Sequence, residues 1–162
     1  MIFSDCGLVI DPSAPEIASI AAQSALSCKA LIAETPKIAL LSFSTKGSAT
    51  HPNVDKVSKA AEILLDQYPN LSSDGELQFD AAFSPDISAS KAKDSNVAGH
   101  ANVMIFPNLD AGNIGYKIAQ RVGGCKAIGP IIQGLAQPAN DLSRGCTTDD
   151  VLNMIAVTVL QF

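Results

Sequence analysis

The segment Lys37 to Phe43, KIALLSF, constrains the fold most, because it is a short and nearly unbroken apolar run entered through Pro36 and left through a polar loop. A strand with no alternation of apolar and polar residues needs cover on both faces, which is the condition of a strand inside a parallel sheet. Two further short runs fit the same role: MIF at the start and Val103 to Phe106, which ends at Pro107. Ala127 to Ile132 reads as a later strand. Between them lie segments with helical spacing. Ser13 is placed to cap a helix in which Ile17, Ile20, Ala21, Ala25 and Leu31 recur at that spacing to about Glu34. Val54, Val57, Ala60, Ala61, Leu64 and Leu65 form a second amphipathic set ended by Pro69. Asn113 to Val122 reads as a third helix. Leu77 and Phe79, alternating with polar neighbours, read as a brief strand leading into a small helix, and the polar stretch Ser84 to His100 reads as a surface loop with some helix. Strand and helix in alternation give an α/β domain with a mainly parallel sheet flanked by helices, and ligands of such sheets bind beyond the carboxyl ends of the strands.

At 162 residues, with 47% hydrophobic and 17% charged residues, the chain is long enough for one substantial core and requires no second domain. Its net charge of -5 disfavours nucleic acid and acidic membranes as main partners, since either would need a basic field. An anionic substrate would have to be met by local cations. No apolar run reaches the roughly 18 residues needed to span a bilayer, and a basic region followed by an apolar stretch of signal-peptide type is lacking, so a cytoplasmic location is expected. Cys6, Cys28, Cys125 and Cys146 form no C-x-x-C pair and have neither His51 nor His100 close by in sequence, so reduced thiols and no metal site are expected.

Chemistry concentrates between Gly129 and Asp150, GPIIQGLAQPANDLSRGCTTDD, where a Ser-Arg pair precedes the apolar segment Val151 to Leu160. Thr147 and Asp150 have the spacing of a capping box, so the apolar segment reads as a helix with Asp149 and Asp150 at its positive end. Backbone N–H groups near such a start, the fork of Arg144 and the hydroxyl of Ser143 suit an oxyanion or a phosphate. The competing reading is structural: Thr147 and Asp150 cap the helix and Arg144 pairs with a nearby carboxylate. Both remain open on these residues alone.

Other patterns carry less. Thr45-Lys46-Gly47-Ser48 resembles part of a P-loop, but G-x-x-x-x-G-K-[ST] is absent, which disfavours a nucleotide triphosphatase. Gly112 and Gly115 lack the full dinucleotide pattern and read as a tight turn that needs small residues. Glu76 and Asp80 could form an acid–base pair, though turn and helix-cap roles suit them better, since nothing else converges on them.

Four segments together are similar to the C-terminal half of phosphate acetyltransferases: SFSTKGSA (Ser42 to Ala49), DGELQFDAA (Asp74 to Ala82), ANVMIFPNLDAGNIGYKIAQR (Ala101 to Arg121) and GPIIQGLAQPANDLSRG (Gly129 to Gly145). They follow the family's order along nearly the whole chain. The resemblance implies the isocitrate/isopropylmalate dehydrogenase-like α/β architecture of those enzymes. It implies that residues 1–162 are a C-terminal acyltransferase domain, a fragment of a chain about twice as long whose earlier half brings further arginines.

The implied reaction moves an acetyl group reversibly between acetyl phosphate and coenzyme A, with phosphate released, acetyl-CoA formed and no acyl-enzyme. Ser143 and Arg144 would hold the acyl phosphate. Asp150 would take the thiol proton, for which burial or repulsion from Asp149 would have to raise its pKa. Lys91 matches a family lysine that contacts the coenzyme, and Lys117 is a weaker candidate for the same role; each also reads as a solvated surface lysine. Coenzyme A enters as co-substrate, with no permanently bound cofactor, and a homodimer is expected. Transfer of a longer acyl group such as butyryl, or a non-catalytic regulatory or binding domain of the same fold, are the alternatives. A hydroxy-acid dehydrogenase of the related fold is disfavoured, because no metal-binding aspartate cluster of its type is found.

Overall fold

A computed structural model describes all 162 residues. Its centre is a sheet of four strands, β1 (Ile2–Ser4), β2 (Lys37–Leu41), β3 (Ser72–Leu77) and β4 (Val103–Ile105), in the order β1-β4-β2-β3 and parallel throughout. The apolar run KIALLSF therefore supplies an interior strand, β2. Ile38, Ala39 and Leu40 have no measurable exposure, as a strand covered on both faces requires.

The two faces are filled differently. Ile38, Leu40, Val103 and Ile105 meet α1 (Ala14–Ile32) and α2 (Pro52–Gln67). Because α1 presents Ala18, Ala21, Ala22, Ala25 and Cys28 toward the sheet, its backbone approaches closely. The Glu16 carboxylate accepts from the Ser13 N–H at 2.7 Å and from its hydroxyl at 2.6 Å, which fixes the start of α1. On the other face Ala39, Leu41, Leu77 and Met104 pack beneath Ala82, Ala92, Val97, Ala98 and Ala101. Those residues belong to α3 (Phe79–Phe83) and to the stretch after α4 (Pro85–Lys91). Ser84 to His100 is thus partly a core lid rather than simply a surface loop; its polar residues face outward while Val97 is buried.

Several expectations need correction. Ala127 to Ile132 is not a strand. Pro130 has no N–H to give a neighbour, and the Ile132 N–H is taken by the Asn140 side chain at 2.9 Å. The apparent alternation through Phe79 crosses an element boundary, since β3 ends at Leu77 and Phe79 already lies in α3. Glu76 is neither a turn nor a cap residue; it lies in β3 with 5% exposure and three hydrogen-bond donors on its carboxylate.

The helix α5 (Leu109–Arg121) begins four residues before the expected start, because Asn108 caps it through Oδ1 to the Ala111 N–H at 2.9 Å. Gly112 is accordingly helical rather than part of a tight turn. Its smallness is needed for another reason: a Cβ there would lie 2.1 Å from the Asp5 carbonyl oxygen. The last helix, α6 (Thr148–Leu160), has the capping box that Thr147 and Asp150 imply. No helix is long and apolar enough to cross a membrane.

Candidate active site

The DLSRG segment reaches α6 as an irregular chain held by two amides. Gln133 accepts from the Ser27 hydroxyl at 2.7 Å and donates to Ser4 Oγ at 3.2 Å and Ser24 Oγ at 3.1 Å, which ties the coil to the carboxyl end of β1. Asn140 accepts the Ile132 N–H and donates to Thr158 Oγ1 at 2.9 Å and Gln161 Oε1 at 2.6 Å, which ties it to α6. Neither residue was singled out from the sequence. Both lie in GPIIQGLAQPANDLSRG, and an amide in a segment short of regular structure is the signal that could have found them.

Ser143 to Cys146 then forms a tight turn, closed by the Cys146 N–H on the Ser143 carbonyl at 3.0 Å. Ser143 Oγ accepts weakly from the Gly145 N–H at 3.4 Å. Arg144 projects from this turn exposed and pairs with no carboxylate. Of the structural reading set out above, the cap is observed and the Arg144 ion pair is not.

Asp150 is engaged in the cap. Its Oδ2 accepts from the Thr147 N–H and from the Thr147 hydroxyl, each at 2.8 Å, and its own N–H donates to Thr147 Oγ1 at 3.2 Å. Those hydrogen bonds, from the Thr147 backbone first and its hydroxyl second, hold the carboxyl below the ordinary aspartate range, with a smaller contribution from Lys126. This corrects the expectation of a raised pKa: the two cap hydrogen bonds outweigh the desolvation that opposes them. Against the turn lies a shallow apolar groove formed by Leu142, Val151, Met154, Ile155 and Val159 with Asn140 and Thr158.

The structure brings Ser143, Arg144 and Asp150 into one turn and helix start. It does not join the two lysines to them. Lys91, at the end of α4, bonds Gln78 Oε1 at 3.0 Å and Asp80 Oδ2 at 2.9 Å. The Lys91 hydrogen bond to Asp80, helped by the Ala81 N–H and by the lysine's charge, holds Asp80 below its usual range. Lys117 bonds Asn113 Oδ1 one turn back at 2.8 Å, which suits an exposed surface lysine. Cys6 is a poor nucleophile: burial first and the Asp5 charge second push its thiol up to about 12.

Residues 1–159 match the family described as phosphate acetyl/butaryl transferase. A phosphate acetyltransferase of Paracoccus denitrificans is 54% identical over 161 residues, which are 99% of this chain and 51% of that protein. One of Bacillus subtilis is 51% identical over 99% of this chain and 49% of its own length. Among solved structures, a phosphotransacetylase from Streptococcus pyogenes superposes with a TM-score of 0.95 at 55% identity, covering 98% of this chain and 48% of that one. A branched-chain phosphotransacylase from Enterococcus faecalis gives 0.78 at 26% identity, covering 97% and 56%. The chain therefore spans about half the length of the relatives it matches. With its parallel sheet superposing on a phosphotransacetylase and its family match running from end to end, the chain belongs to the phosphate acetyl/butyryl transferase family.

Proposed function

We propose that the chain carries the acyl-phosphate end of a reversible transfer of acetyl between acetyl phosphate and coenzyme A. The observation that carries this reading is Arg144, an exposed guanidinium without a carboxylate partner, in a fixed turn beside Ser143 and just ahead of the α6 start. A planar fork suits two phosphate oxygens, and the Ser143 hydroxyl supplies a further donor.

The reaction needs one bond made and one broken. The coenzyme sulfur adds to the acetyl carbonyl, the oxygen gains charge, and the C–O bond to phosphate then breaks with its electron pair leaving on phosphate. Arg144 and Ser143 steady the departing charge. Asp150 takes the thiol proton through Oδ1, the oxygen its cap leaves unused. Between an ordinary aspartate and a thiol near 8.5, that transfer is uphill by about 6 kcal/mol, and the depressed pKa of Asp150 adds to it. Deprotonation therefore accompanies C–S bond formation, as general-base catalysis by a weak base requires.

Thioester formation from acetyl phosphate and coenzyme A by the 162-residue chain, with a Ser143→Ala, Arg144→Ala double variant as control, tests the reading. Turnover lost in the double variant supports it. If the chain alone is silent, the N-terminal half of the Paracoccus relative is added; continued silence, with the intact relative active in parallel, leaves the second reading, a binding domain without catalysis. That reading draws on Asp150 being spent on its cap. Butyryl transfer is less favoured, because relatives that match at about half identity are phosphate acetyltransferases.

A further inference from the structure

Glu76 is a buried carboxylate for which the acyl-transfer scheme has no use. Its Oε1 accepts from the Ser44 hydroxyl and the Gly47 N–H, both at 2.8 Å, and its Oε2 accepts from Ser58 Oγ on α2 at 2.9 Å. No cation pairs with it.

The loop it meets is the P-loop look-alike. Lys46 and Gly47 have φ of 51° and 79°, a consecutive left-handed pair that bends the loop sharply. Every N–H from residue 44 to residue 49 has an acceptor inside the protein. Ser44 uses Ser42 Oγ, Thr45 uses Ser48 Oγ, Lys46 uses the Glu76 carbonyl, Gly47 uses the Glu76 carboxylate, Ser48 uses the Thr45 carbonyl and Ala49 uses Ser44 Oγ. The Glu76 carboxylate takes the Gly47 N–H and the Ser44 hydroxyl from inside this loop, and the Glu76 carbonyl takes the Lys46 N–H.

The loop also has an outward connection. Thr45 Oγ1 accepts from the Gln78 N–H at 2.9 Å and donates to Gln78 Oε1 at 3.3 Å. The same Gln78 oxygen accepts from Lys91 at 3.0 Å. A continuous polar path runs from the buried carboxylate to an exposed ammonium at the edge of the sheet.

We propose that Glu76 is a positioning residue: its carboxylate is the resident anion around which the Ser44–Ala49 loop folds, and through Thr45 and Gln78 it fixes Lys91. The inference stands on this geometry and does not require that Lys91 meet coenzyme A. Burial by itself would raise the pKa of Glu76, but the donors from Gly47, Ser44 and Ser58 outweigh it and hold the group ionised below the usual range.

Replacing Glu76 by Ala opens a carboxylate-sized space lined by orphaned donors. The variant is expected to melt roughly 5–10 °C lower than the parent chain, and formate should restore part of that loss. Chloride at equal ionic strength should not, and formate should leave the parent unmoved. Amide resonances of Gly47 and Gln78 should both shift in the variant, and formate should return both toward their parent positions. A plain packing role would give the destabilisation without the rescue. An unchanged melting temperature, equal response of parent and variant to formate, or a Gly47 shift with Gln78 unmoved each overturns the proposal. Should the Ala variant not fold, Glu76→Gln decides: it keeps the shape and loses the charge, so movement of both resonances supports the proposal and movement of neither overturns it.

Discussion

Two parts of this chain are built on different terms. Residues from β1 to the start of α5 form a sheet with two filled faces, in which Ile17, Ile38, Leu40, Leu64, Leu77 and Met104 are fully covered. After Gly112, Met154 is the one buried residue, although this tail contains Leu135, Leu152, Ile155, Val159 and Phe162. The sheet supplies its own stability, while the tail carries the Ser-Arg turn and owes its place to the amides of Gln133 and Asn140. On the proposed function, stability and chemistry are separated along the sequence, and substitutions in the two parts should fail in different ways.

Arg144→Ala should break the comparison most visibly. It should cut thioester turnover of the chain, or of the chain complemented by a relative's N-terminal half, by about 10²–10³ fold, a size typical for loss of one charge-stabilising group. Its melting temperature should stay within about 1 °C of the parent, because exposed side chains without partners contribute little. A large thermal shift would mean that Arg144 is structural. Leu64→Ala is the converse. Loss of this fully buried side chain should cost about 2–5 kcal/mol in chemical denaturation, whereas Ile155→Ala on exposed α6 should cost less than about 0.5 kcal/mol. Equal costs would show that the tail is as tightly packed as the sheet.

The same division sets what could be read from the sequence. Elements of the body announced themselves through spacing and stop signals: KIALLSF is β2, Ser13 precedes α1, and Pro69 follows α2. Several readings failed because the deciding contact lay outside the local pattern. Gly112 is small because of Asp5, Glu76 is buried because Ser44, Gly47 and Ser58 gather on it, and Ile132 is not in a strand because Asn140 takes its N–H. In the site, Thr147 and Asp150 were legible as a local pair. The pKa of Asp150 was not, since its direction depends on whether burial or the cap dominates.

Thr147→Ala probes that cap directly. Loss of the hydroxyl should weaken the start of α6 by about 1 kcal/mol, seen as faster hydrogen exchange in its first turns with the exchange of β2 unchanged. If β2 exchanged faster too, the helix and the sheet would unfold as one unit and the division drawn above would be wrong.

The smallest expected effect is a pH dependence confined to α6. Because its folded pKa lies below the ordinary value, Asp150 contributes helix stability that is present above the unfolded aspartate pKa near 3.9 and is lost as pH falls through the depressed one. Glu76 follows the same sign, since its folded pKa is also lowered, but its loss should loosen the body rather than the tail. Acidification should therefore fray α6 in the parent chain, and Asp150→Asn should remove that component while leaving the acid response of the sheet. In the same variant, thioester formation should fall with the melting temperature nearly constant. If turnover survives Asp150→Asn, the carboxylate is a cap and nothing more, and the proton must leave the coenzyme thiol by another route.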